Sequence, residues 1–248
     1  MTTSTLKIQT ALQSVLALRQ LQAKDAELTQ ALRKVKLFQA RRFKATYADL
    51  LRDPRYQSAA RFFLEELYGD RDYAGRDQQF ARIASTVGRL FPENVVNTAV
   101  ALAEVHALTE ALDDLMARAW MARQPADSDA TETACYVACW RQLANPASRA
   151  LQLEAVLQLG HAIDRLTRTP GLRTLLRMMR GPASAANLQA LQQFLESGFD
   201  AFAAMRGAEY FLDSVSCRET DWMELLFNAE LVACEIRLNT LLAESWAH

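Results

Sequence analysis

PENVVNTAVALAEVHALTEALDDLMARAWMAR, residues 92–123, decides the fold class. It opens on Pro92, whose missing N–H costs nothing at the first position of a helix, and reaches Arg123 without a glycine or a second proline. Val95, Leu102, Val105, Leu108, Leu112 and Leu115 recur at intervals of three, four and seven, the apolar stripe of a long helix. The rest of the chain has the same texture. Eight glycines and six prolines in 248 residues are about half the average usage, which favours long helices over a β-rich fold. The fold class is therefore all-α: a multi-helix bundle with a long N-terminal helix and a kinked, glycine-broken C-terminal subregion.

Breakers place the remaining helices. Thr5 to Leu51 contains none and predicts one helix of about 70 Å, too long for a compact domain of this size, so residues 1–51 form a possible oligomerisation element and 52–248 the helical-bundle domain. Its broken heptad seam, Leu21, Leu28, Val35 and Arg42, leaves a second reading open: two helices parted near Lys24-Asp25. Asp53 and Pro54 start the next helix, which stops at Gly69, and another passes through Phe80 to Val87. Gln124 to Asp129 is a polar loop, Pro146 opens a helix to about Thr169, and Thr220 to Trp246 reads as a last long one. Between them Gly171, Gly181, Pro182, Gly198 and Gly207 cut the chain into short pieces.

Composition bounds the function. Hydrophobic residues at 50 % and charged residues at 23 % suit a soluble globular protein. A net charge of -1 argues against wholesale binding of polyanions. Cys135, Cys139, Cys217 and Cys234 are too few for a disulfide framework, and no signal-peptide core or uninterrupted apolar span appears, so the expectation is a reduced cytoplasmic protein without a membrane segment. No nucleotide loop, nucleophile elbow or zinc spacing occurs, and the sequence calls for no catalytic residue and no cofactor.

Three clusters remain as candidate sites. His106 with Glu110 and Asp113, and His161 with Glu154 and Asp164, each share one helix face, but without the Glu-x-x-His spacing of a di-iron bundle they are weak metal ligands. Tyr68, Arg71 and Arg76 form a possible anion-binding corner in a polar, aromatic turn. Arg33, Lys34, Lys36, Arg41, Arg42 and Lys44 form a basic run without an acid, whereas Gly207 to Ile236 carries seven acids against one arginine. Opposed blocks in a near-neutral chain favour complementary packing or self-association over a nucleic-acid surface.

Phe62-Phe63-Leu64 with Leu67-Tyr68-Gly69, Asp72 and Arg76-Asp77, followed by Arg177-Met178-Met179-Arg180-Gly181-Pro182-Ala183, resembles the motifs of an uncharacterised family of bacterial all-helical proteins. The resemblance implies a bacterial protein and no catalytic residue. The functional expectation is a helical homo-oligomer acting through protein–protein binding or self-association. One alternative is a bundle binding an apolar small molecule or a metal, with oxidoreductase-type chemistry, drawn from Phe199, Phe202, Met205, Phe211, Trp222 and Phe227. The other is weak nucleic-acid binding through residues 33–44.

Overall fold

The computed structural model describes residues 3–66, 74–90, 92–123 and 131–244. Among them are thirteen helices and no strand. The chain runs α1 (Thr3–Gln22), α2 (Ala26–Thr46), α3 (Ala48–Arg52), α4 (Gln57–Glu66), α5 (Ala74–Leu90), α6 (Glu93–Arg123) and α7 (Glu132–Leu143). It continues through α8 (Pro146–Thr167), α9 (Leu172–Met178), α10 (Arg180–Ala185), α11 (Gln189–Met205), α12 (Glu209–Asn228) and α13 (Leu231–Glu244).

The single N-terminal helix of 47 residues is not what forms. The chain turns back at Ala23–Asp25, and the reason is local: the Asp25 carboxylate accepts a hydrogen bond from the Leu28 N–H at 3.0 Å, capping α2. Glu27 in the first turn favours the same start. We expect Asp25→Ala to cost about 1 kcal/mol, read as a lowered urea midpoint with an unchanged slope. A second break falls at Tyr47. The long C-terminal helix also divides, at Ala229, where extended backbone (ψ 161°) ends α12 and the Glu230 side chain accepts from the Ala233 N–H at 3.0 Å.

In the glycine-broken region, Gly171 (φ +78°) and Gly207 (φ +122°) do adopt backbone that other residues avoid. Gly198 instead sits inside α11. A Cβ there would lie 2.9 Å from Phe62, so its role is close packing and not helix termination.

Helix α6, about 46 Å long, is the centre of the structure: α1, α2, α5, α7 and α8 all pack against it. Over 18 residues it is apolar enough to cross a bilayer by length and composition, but five helices pack along it and it keeps Glu110, Asp113 and Asp114 buried. Its buried set is broader than a single stripe. Val96, Val100, Ala103, Leu112, Met116 and Trp120 are interior, whereas Leu115 of the expected stripe is 42 % exposed.

Three apolar clusters form the interior, and two of them include residues of α6. One joins α2, α7, α12 and α13 through Phe38, Trp120, Tyr136, Trp140 and Trp222. The second joins α2, α4, α11 and α12 through Phe43, Tyr47, Phe63, Phe202 and Phe211. The third joins α1, α5 and α11 through Leu12, Phe80, Leu191 and Phe194. Phe199, Phe202, Met205, Phe211, Trp222 and Phe227, the aromatic supply behind the alternative of an apolar pocket, are core or core-flanking residues.

Candidate binding cavity

Where the three clusters approach one another they leave a cavity of about 110 Å³. Tyr136 and Trp140 wall it from the first cluster, Phe43, Tyr47 and Phe63 from the second, and Leu12, Phe80, Leu191 and Phe194 from the third. Along α6 it runs from Leu102 to Asp113, about 16 Å of helix. At about 10–15 Å³ for each water-sized group, the space holds about eight non-hydrogen atoms.

The lining is unusually polar for a bundle interior. At one end Asp77 of α5, 2 % exposed, accepts from Arg19 at 2.8 Å and lies 2.8 Å from the His106 Nε2. Glu110 receives Lys36 at 2.9 Å and Arg19 at 3.3 Å. Burial would raise this carboxyl, but the Lys36 and Arg19 charges outweigh it and hold Glu110 below its ordinary value. At the other end Arg42, 4 % exposed, makes a two-pronged contact with Glu219 of α12 at 2.7 and 3.2 Å. The Tyr47 hydroxyl donates to the same carboxylate at 2.9 Å.

Between these compensated groups stand two that are not. Asp113, one turn along α6 from Glu110, accepts a hydrogen bond from the Gln39 amide at 3.1 Å. Burial pushes its carboxyl above the usual range, and the nearby Lys36 and Arg149 charges only partly oppose that. Arg149 of α8, 6 % exposed, donates through Nη1 to Gln152 at 3.0 Å and stacks on Trp140 with its guanidinium 4.7 Å from the ring centre. Its Nη2 makes no hydrogen bond. The Tyr136 hydroxyl and the Trp140 indole N–H are close enough for one to act on the other, yet neither reaches hydrogen-bond geometry. Three buried donors therefore border one cavity without an acceptor.

The expected sites fare differently. His106, Glu110 and Asp113 do gather at one place, but with Asp77, Arg19, Lys36 and Gln39 as partners. His161 and Glu154 are exposed on α8, where Glu154 accepts from Gln158, and Asp164 pairs with Arg168. Among the described residues no group of three or more His, Cys, Asp or Glu side chains stands together as metal ligands. Tyr68 and Arg71 lie outside the described residues, as does the side chain of Arg76.

The basic run is not one open face. Lys36 pairs with Glu110, Arg41 with Glu132 and Arg42 with Glu219, while Arg33 and Lys44 are exposed and Lys34 is half-buried. Cys139 is fully buried, and its hydrogen bond with Cys135, reinforced by burial, holds the thiol protonated. Arg149, Tyr136, Gln39 and Gln152 carry no sequence signal of their own. Only α6's cluster of acids and histidine marked the place.

The class so defined is an all-helical protein with a partly open cavity among its helices, mainly apolar but bordered by buried charged groups. The chain belongs to the family described as a domain of unknown function, DUF8198, which matches residues 18–232. No curated protein and no solved structure matches it.

Proposed function

We propose that the chain is a binding protein that encloses a small polar molecule within its helical bundle. The observation that carries this reading is the set of buried donors, Arg149 Nη2, Tyr136 OH and Trp140 Nε1, around one cavity. A buried donor without an acceptor costs about 1–3 kcal/mol, so an interior bordered by three of them gains much from an acceptor that fills it. The half-buried residues Leu102, His106, Thr109, Gln152 and Val156 keep part of the lining in touch with solvent between α6 and α8.

Self-association is the weaker reading. It rested on a 70 Å helix and on opposed charge blocks, but α1 and α2 turn Leu12, Val15, Leu28, Val35 and Phe38 inward, mostly onto α6, and Arg42 and Glu219 pair within the chain. Nucleic-acid binding loses Lys36, Arg41 and Arg42 to acids within the chain.

Native mass spectrometry of gently isolated protein is the test. A bound species of about 100–150 Da is expected from the size of the cavity. Stripping it should lower the unfolding free energy by about 2.7 kcal/mol where the ligand had stood at a hundred times its Kd. A bare chain whose melting temperature is unmoved by a small-molecule extract would overturn the reading.

A further inference from the structure

Charge bookkeeping within the cavity narrows the ligand. Glu219 is answered by Arg42, Glu110 by Lys36 and Arg19, and Asp77 by Arg19. Asp113 and Arg149 are left. They act on each other through space, and both are buried, but no ion pair joins them: Asp113 takes only the Gln39 amide and Arg149 only the neutral Gln152 oxygen as hydrogen-bond partners. Two opposite charges held apart across a space are costly in a low-dielectric interior unless something between them carries the complementary pair.

We propose that the occupant is a compact zwitterion of the α-amino-acid type, its ammonium held by Asp113 and its carboxylate by Arg149, Tyr136 and Trp140. This rests on the reading of the cavity as a ligand site and names the ligand class. A plain carboxylate would satisfy Arg149 and then face Asp113. A plain amine would do the reverse. Only a molecule bearing both groups answers both ends at once, and it stays near the volume available when its side chain is small. The apolar wall from Leu102, Val156, Leu191 and Phe194 favours an aliphatic side chain over a charged one. The Trp140 face stays occupied by the guanidinium of Arg149 in the bound form, so the indole N–H and not the ring is the contact offered to the carboxylate.

The test is calorimetric titration of the intact, ligand-stripped chain with L-valine, L-leucine and L-methionine, and with the two halves of leucine, 4-methylpentanoate and 3-methylbutylamine. The expected result is saturable binding of an amino acid, with each half at least about tenfold weaker, as the loss of a hydrogen bond to a charged group implies. Asp113→Asn should weaken leucine by a similar factor and shift preference toward 4-methylpentanoate, a change of selectivity that a merely damaged fold would not produce. Arg149→Gln should shift it toward the amine. Should that variant fail to fold, the wild-type series and Asp113→Asn decide the matter alone.

Either half binding as tightly as leucine overturns the zwitterion and leaves the cavity-binding reading intact. So does native mass spectrometry that finds a bound molecule lacking one of the two charges. A bound zwitterion outside the titrated set supports the proposal. No binding by any of the five probes and no zwitterion found bound dismisses the proposal, and the extract experiment decides the cavity reading separately.

Discussion

Glu219→Ala is expected to lower the unfolding free energy by about 3–5 kcal/mol, the loss typical when one partner of a buried ion pair is removed. The carboxylate serves two buried groups at once. Its oxygens receive both Nη atoms of Arg42, 4 % exposed, and one of them also receives the hydroxyl of Tyr47, which is fully buried. Alanine leaves the guanidinium near the Trp222 ring (5.8 Å) and the phenol without its acceptor, in surroundings built from Phe43, Tyr47 and Trp222. Glu219→Gln keeps an acceptor for Tyr47 but not the charge, and should lose less. Replacing both partners by leucine removes the desolvation cost along with the attraction and should recover most of the loss. Urea unfolding of the three variants checks the order. A loss below 1 kcal/mol for Glu219→Ala would mean that the contact is not formed in solution.

That ion pair also shows what the sequence made legible. Arg42 lies in the acid-free basic block and Glu219 in the acidic block 177 residues later; the blocks favoured complementary packing or self-association, and this pair is a contact of the first kind. The fold class followed from scarce breakers and helical stripes, because both are local properties. Helix boundaries were legible only where a side chain announces them. Asp25 before Ala26 and Glu27 is such a signal, and it outweighs the unbroken apolar pattern of the N-terminus. The break at Ala229 has neither glycine nor proline; it depends on a cap supplied by the Glu230 side chain, a residue type not usually found in that role.

The site was half legible for the same reason. His106, Glu110 and Asp113 share a face of one helix, which spacing reveals. Their partners lie 29 to 91 residues away, on α1, α2 and α5, and no periodicity connects them. Metal ligation was the weaker reading of a histidine and two acids, and charge neutralisation by Arg19 and Lys36 is what the packing supplies. The cavity itself belongs to no segment. It exists because three apolar clusters fail to close over α6, and a gap in packing leaves no mark on pattern. Phe202 of α11 and Phe211 of α12, two of the aromatic residues behind the pocket alternative, pack against Phe63 of α4 at 6.1 and 5.4 Å.

Asp113→Asn is expected to stabilise the ligand-free protein, and to do so more as pH rises. Burial raises the Asp113 carboxyl above its ordinary 3.8, against the favourable fields of Lys36 and Arg149 and with the unfavourable one of Glu110. Between the ordinary value and the raised one, the folded chain holds a proton that the unfolded chain has released, so stability falls as pH climbs through that window. Asparagine abolishes the cost and still accepts from Gln39. The variant should be more stable than wild type at pH 8 and match it near pH 3, where the folded and unfolded wild-type chains both hold the proton. Glu110, three residues earlier, moves oppositely: held below 4.5, it contributes stability at neutral pH that is lost as pH falls through its lowered value, in both proteins alike. Melting curves from pH 3 to 8 separate the two acids. A variant less stable than wild type at pH 8 would mean that Asp113 is paired in the empty protein. Adding L-leucine should then close the gap from the other side, stabilising wild type more than Asp113→Asn at the same concentration, because a carboxylate that burdens the empty fold lowers the free energy only of the filled one.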